Sequence, residues 1–202
     1  MISFVLLMTH DRLHIRELVE RIAVHNDQQA YKQFFCMFQS RLRQFAYSVI
    51  KSHEIAEEIT SDVFIKIWNK RTSLLKIDNI VLYLYVSIKN QSLNYLSQKS
   101  KENVFFSDEV LVEMKSIYFD PEQLMITAEM MRRVQMAISH LPPKCRQIFK
   151  LVKEDGLRYK EVAELLGISL KTVEAQMSIA LRRVAQSIHF DINTSVSSYL
   201  GK

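Results

Sequence analysis

Lys171, Thr172 and Gln176 fall within six residues of one another, and Arg182 and Arg183 follow one to two helical turns later. Ammonium, hydroxyl and amide groups at this spacing, carried on a helix sized for a major groove, can read the edges of base pairs. Arginines a turn beyond them suit phosphates, which fix register without specifying sequence. Glu174, Ala175 and Ser178 lie on or near the same exposed side. Ser169, just before, carries a hydroxyl able to accept an orphan backbone N–H of the first turn, which predicts it as the N-cap.

Positioning such a face requires a second helix crossing the first. The stretch YKEVAELLGISLKTVEAQMS, from Tyr159 to Ser178, has the order for it. Ala163 lets two helices approach, and Gly167 enters the left-handed region where the chain reverses. Val173 then plugs the second helix onto the first, while Val162, Leu165, Leu166 and Ile168 supply the remaining apolar face. Small, permissive, apolar is the order of a helix-turn-helix; a three-helix packing unit with a solvated polar face is the alternative.

Two more stretches mix polar chemistry with helical spacing. NIVLYLYVSIKNQSLNYLSQK, from Asn79 to Lys99, sets Tyr83, Tyr85, Tyr95, Lys89, Asn90, Gln91 and Asn94 among apolar Leu82, Val86, Leu93 and Leu96. Aromatics interleaved with amides and a lysine suit unpaired bases; buried tyrosines with satisfied hydroxyls would look the same. EIAEEITSDVFIKIWNKR, from Glu54 to Arg71, has an apolar stripe of Ile55, Ile59, Val63 and Ile67. Glu54, Glu58, Ser61, Asp62 and Asn69 gather opposite, and a solvated charged face is the plainer reading.

The chain has 202 residues, 48% of them hydrophobic, with only 3 Gly and 3 Pro. This composition predicts an all-α protein with two small cores rather than one large one. A net charge of +5 favours an anionic partner without identifying it as nucleic acid. Cys36 and Cys145 stand far apart, with no CxxC or Cys/His spacing, so neither a zinc site nor a disulfide framework is indicated; Cys36 reads as a buried small hydrophobe. His10, His14, His25, His53, His140 and His189 are scattered without ligand spacing, and there is no glycine-rich phosphate loop. An enzyme is therefore not indicated, nor a metal, cofactor or small-molecule substrate. The opening MISFVLLM is too short to span a bilayer and lacks a signal peptide's flanks, so it reads as a short pairing segment or as preceding a start at Met8. A cytoplasmic protein is expected.

The remaining elements follow from periodicity and breakers. Leu13, Leu18, Val19 and Ile22 mark a first helix from Asp11 to His25, and Asn26 and Asp27 are turn and cap residues. Ala30, Phe34, Met37, Phe38, Leu42, Phe45, Ala46 and Val49 mark a long second helix whose phenylalanine stripe is core. Thr72 to Asn79 reads as a loop, with Asp78 or Asn79 capping the next helix. From Gln98 to Asp120 three lysines face five acids and periodicity fades. Such a linker of 23 residues could reach about 75 to 80 Å extended, more than two turns of B-DNA at ~34 Å each. Asp120 and Pro121 restart helix, with Leu124, Ala128, Met131, Val134 and Ile138 as its stripe up to Leu141. Pro142 and Pro143 end it, KCRQIFKLVKEDG forms another closed by Gly156, and the last helix runs to about Ile188 before a polar tail.

The assembled stretches resemble a family, the extracytoplasmic-function group of sigma-70 factors of bacterial RNA polymerase. The likeness runs from about Asp27 to Ile188. EIAEEITSDVFIKIW is similar to that family's polymerase-binding helix, LYVSIKNQSLNYL to its minus-ten promoter helix, and LPPKCRQIFKLVKEDGLRYKEVAELLGISLKTVEAQMSIALRRV to its minus-thirty-five domain. The resemblance implies a polymerase-binding domain over 1–97, a linker over 98–120, a helix-turn-helix domain over 121–188 and a tail over 189–202. It implies that Glu57, Glu58, Ser61, Asp62 and Lys66 meet the clamp coiled coil of core polymerase. Lys76, Asp78, Asn79, Tyr83, Lys89, Asn90 and Asn94 would meet the minus-ten element, the segment Thr72 to Asn79 holding a flipped base of the melted non-template strand. Ser169, Lys171, Thr172, Glu174, Ala175, Gln176, Ser178, Arg182 and Arg183 would meet the minus-thirty-five duplex. Ser97 and Gln98 stand where the family carries a basic pair, which implies weaker phosphate clamping there. KTVEAQMSIALRRV is most similar to members from Bacteroidetes-type bacteria, which implies a membrane anti-sigma partner. The competing function is a helix-turn-helix regulator that acts without polymerase.

Overall fold

The computed structural model describes residues 2–101 and 125–199, with side-chain surroundings over 13–99 and 132–186. Every regular element among them is helical, as the composition predicts. The chain forms two compact units, Met1–Val110 and Leu111–Lys202. The expected linker lies almost wholly outside the described residues, as do Asp120, Pro121 and Leu124; its first residues, Gln98 to Lys101, continue a helix instead.

In the first unit, α1 (Ile2–His25), α2 (Gln28–Ile50), α3 (His53–Asn69) and α4 (Ile80–Lys101) pack around α2, which touches the other three. The stripe expected on α2 is core: Ala30, Phe34, Phe38, Leu42, Phe45 and Ala46 are buried, together with Tyr47 and Ile50. Phe34 meets Phe38 and Phe64 at 5.0 and 6.4 Å between ring centroids, and Phe45 meets Tyr85 of α4 edge-on at 5.0 Å. Each fully buried phenylalanine contributes roughly 1.5–3 kcal/mol relative to exposure.

Local chemistry sets the ends. Asp27 caps α2, its Oδ1 accepting from the Gln29 and Ala30 amides at 2.8 and 3.0 Å while Oδ2 takes the Arg21 guanidinium. The Ala30 amide and then Arg21 hold the Asp27 carboxyl below its ordinary value of 3.8. Ser52 caps α3, so that helix starts at His53, one residue before the expected start at Glu54. Asn79, of the two candidates, caps α4 by accepting from the Leu82 amide at 3.1 Å.

Several expectations are corrected. MISFVLLM is not a separate pairing segment: α1 is helical from Ile2. Leu13 is 71% exposed because it lies opposite Leu18, Val19 and Ile22, the residues α1 buries. Cys36 is exposed, two residues round from buried Phe34 and thus on the far side of α2. Thr72 to Asn79 is not all loop, since Arg71–Lys76 forms a 3-10 helix that buries Leu74. The buried face of α4 is Ile80, Val81, Leu84, Tyr85, Ile88 and Ser92, which leaves Val86 and Leu93 exposed.

In the second unit, α5 (Met125–Ser139), α6 (Pro143–Lys153) and α7 (Tyr159–Leu166) all pack on α8 (Leu170–Tyr199). Pro142 and Pro143 act as cap and first residue of α6, where a missing N–H is harmless. Glu161 reaches back to the Arg158 amide at 2.7 Å, half of a capping box at the start of α7. Gly167 closes α7 at φ +67°, ψ +35°, its N–H bonded to the Ala163 carbonyl. Ser169 caps α8, accepting from the Thr172 amide at 3.0 Å. Ala163 and Val173 are both buried at the crossing. The expected stop near Ile188 is wrong: α8 continues to Tyr199, and no Gly or Pro occurs between Ile188 and Tyr199 to end it.

A Cβ at Gly167 would meet nothing within 4 Å, so only the backbone resists substitution there. Gly167→Ala is expected to cost about 1–2 kcal/mol for an L-residue held in the left-handed region, and Gly167→Asn less. Urea denaturation followed by circular dichroism measures both, and equal midpoints for all three chains would contradict the assignment of strain to this residue.

Candidate nucleic-acid interface

On α8 the side chains divide cleanly by angle. Val173, Met177 and Ala180 are buried on one side, while Lys171, Ala175, Ser178 and Arg182 form an exposed row opposite them. Glu174 flanks the row. Ser178 donates its hydroxyl to the Glu174 carbonyl at 2.9 Å, and Thr172 shares its hydroxyl with Ser169 at 2.8 Å. Ser169 and Thr172 thus serve the cap first, which holds Lys171 at the helix mouth. Gln176 and Arg183 depart from the expected arrangement. Gln176 sits half-buried on the flank, and its main-chain carbonyl accepts from the Cys145 thiol at 3.3 Å. Burial pushes the Cys145 thiol up, and Arg183, on the same flank, opposes this only weakly. The row can therefore present an ammonium, a methyl, a hydroxyl and a guanidinium along about three turns.

On α4, Tyr83, Asn90 and Asn94 share one exposed face, with the apolar side chains of Val86 and Leu93 beside them. Tyr83 is 38% exposed, whereas Tyr85 is only 2% exposed. Tyr83 thus stands at the surface, Tyr85 is core, and Tyr95 is half-buried between the two. Lys89 is not brought together with this face: it is half-buried and lies about 100° round the helix from Asn90. Lys76 and Asp78 are exposed at the approach to α4, and Asn79 is held by its cap contact with Leu82.

On α3, Glu58, Asp62 and Lys66 succeed one another at four-residue spacing and line a groove with Ile55 and Ile59. Its opposite wall is α4, through Gln91, Asn94, Tyr95 and Gln98. Asn94 therefore belongs both to the exposed α4 face and to a groove whose other wall carries carboxylates. Glu57 and Ser61 form the adjacent stripe, and Glu57 lies 3.7 Å from Arg43 of α2. Ile65, 57% exposed among these polar residues, was missed by periodicity because the apolar stripe accounts for its neighbours instead. An exposed isoleucine beside carboxylates is a signal the sequence does carry, as an apolar residue out of phase with its helix.

Among the described residues no three His, Cys, Asp or Glu side chains are grouped to hold a metal ion. No helix there is long and apolar enough to cross a membrane.

Comparison with known proteins places these faces within a family. Residues 34–102 match Sigma-70 region 2, and residues 131–184 match Sigma-70 region 4. The ECF RNA polymerase sigma-E factor of Escherichia coli K12 is 25% identical over 179 residues, covering 83% of this chain and 90% of that one. The ECF RNA polymerase sigma factor SigK of Mycobacterium bovis is 25% identical over 171 residues, covering 82% and 88%. The solved sigma factor RpoE of Bartonella quintana, in complex with the anti-sigma factor NepR, is similar over 80% of this chain and 98% of its own, at 24% identity and a TM-score of 0.45. The two matched regions together span more than half of the chain, in the order in which the α3–α4 and α7–α8 faces occur: the chain belongs to the sigma-70 family, as an ECF-type RNA polymerase sigma factor.

Proposed function

We propose that this sigma factor docks on core RNA polymerase through α3 and carries promoter recognition on α4 and α8. The observation that carries the reading is the row Lys171, Ala175, Ser178 and Arg182, set opposite the buried face of α8. A helix of that kind, entering a major groove after a tight turn, reads base edges with its first turns and grips phosphate with later residues. Lys171, Glu174, Ala175 and Ser178 are the base-reading candidates for the minus-thirty-five element, with Ser169 and Thr172 shaping the helix start. Arg182 takes a phosphate, and Gln176 and Arg183 act from the flank.

For the minus-ten element, Tyr83, Asn90 and Asn94 supply a stacking ring and amides to unpaired bases, and the segment from Thr72 to Asn79, with Lys76 and Asp78, holds a flipped base. Lys89 contributes charge from the side rather than direct readout. For polymerase, Glu58, Ser61, Asp62 and Lys66 form a polar surface with Ile65 as its apolar anchor, and Glu57 extends it toward α2. The factor itself performs no covalent chemistry; strand synthesis belongs to the polymerase. It works in the cytoplasm, and the likeness of KTVEAQMSIALRRV to Bacteroidetes-type members supports control by a membrane anti-sigma protein. Domain limits near residues 97 and 120 belong to the same proposal.

Co-elution of the purified chain with core polymerase, followed by initiation on genomic fragments, tests the whole. Asp62→Lys is expected to abolish holoenzyme assembly while the circular dichroism spectrum stays unchanged, because it reverses charge on an exposed face. Normal assembly would move the interface away from α3. Arg182→Ala should weaken binding to all promoter sequences alike and flatten the slope of log K against log salt by about one unit. A change of base preference instead would make Arg182 a reader.

A further inference from the structure

The 3-10 helix Arg71–Lys76 is held at its first residue by a node outside the faces described above. Arg71 donates through Nε to Asn26 Oδ1 and through Nη1 to the Trp68 carbonyl at 2.9 Å. Its guanidinium lies over the Trp68 ring, 4.8 Å from the centroid. Trp68 packs in turn on Tyr31 at 4.8 Å, and the Tyr31 hydroxyl donates to the Phe64 carbonyl at 2.8 Å. The start of the segment is thus tied both to the end of α3 and to the turn between α1 and α2, 45 residues away in sequence.

Asn26 does two things at that turn. Its φ of +52° is left-handed, which Asn tolerates better than most residues, and the next amide, Asp27 N, reaches back to the Arg21 carbonyl at 3.3 Å. Its side chain is the acceptor for Arg71. Glycine would serve the backbone and lose only the acceptor, whereas aspartate would keep both. Further along, Leu74 is buried and Asn79 caps α4. Between these three pins Thr72, Ser73, Leu75, Lys76 and Asp78 face solvent.

We propose that the Arg71–Asn26 contact is a positioning device for the 72–78 segment, fixing where its exposed groups meet an unpaired base. This rests on the base-holding role given to that segment above. Arg71 and Asn26 are positioning residues; neither needs to touch DNA. A guanidinium hydrogen-bonded to a fixed acceptor and seated on an indole sets the first residue's direction, and a 3-10 helix of only six residues has too few internal bonds to set it alone.

The test uses holoenzyme reconstituted from the full chain and core polymerase. The probe is a labelled single-stranded oligonucleotide of the non-template minus-ten region from a promoter mapped by the initiation assay. Asn26→Gly is expected to lower affinity for this probe about three- to tenfold, with core affinity and melting temperature unchanged. Arg71→Lys, which keeps the charge and loses the fork, should show the same loss. Asn26→Asp should restore binding to within about twofold of the original, since its carboxylate accepts from the same guanidinium. Undiminished probe binding by Asn26→Gly would overturn the proposal. So would a proportional loss of core affinity, which would mark the contact as merely structural. If the unsubstituted holoenzyme initiates but does not bind the probe, the base-holding role itself fails and the positioning role falls with it, a result separable from the variants' behaviour.

Discussion

Burial of one side of α2 constrains everything the first unit can offer outward. Phe34, Phe38, Leu42 and Phe45 need three neighbours to cover them, and α1, α3 and α4 supply those neighbours. Once α3 turns Ile59, Val63, Phe64 and Ile67 toward that core, Glu58, Asp62 and Lys66 are left along its edge, on the groove shared with α4. The same constraint turns Tyr85 inward and Tyr83 outward, although both are tyrosines in one short run. Carboxylates and amides are thus displayed because burying them uncompensated would cost several kcal/mol each.

The second unit solves a different problem with fewer residues. Its α8 must be buried enough to be rigid yet exposed enough to enter a groove. Three helices pack on one side of it, through Val173, Met177 and Ala180, and the row from Lys171 to Arg182 remains outside. The turn at Gly167 and the cap at Ser169 set the angle at which that row emerges. Polar side chains near the start, Ser169 and Thr172, are occupied with each other and with the cap.

The groove between α3 and α4 puts residues assigned to two different partners within reach of one another. Asp62 and Lys66 stand on one wall, and Asn94 and Gln98 on the other. A partner seated on α3 would lie beside Asn94 across this groove. This arrangement fits a protein whose promoter contacts matter only once it is attached to polymerase.

Sequence alone determined what depends on neighbours within a turn or two. Most helix starts, the caps at Asp27 and Ser169, the left-handed Gly167 and the crossing of Ala163 with Val173 all follow from local hydrogen bonding and sterics. Tertiary structure decided the rotation of helices such as α4, whose apolar residues do not fall in one clean stripe, because that angle is then set by what packs against them. Hence Leu13 and Cys36 are exposed, Lys89 lies apart from Asn90, and α4 buries Ile80, Leu84 and Ile88, none of them singled out by the sequence pattern. The Arg71–Asn26 contact belongs to the same class, since no local pattern announces a hydrogen bond between side chains 45 residues apart.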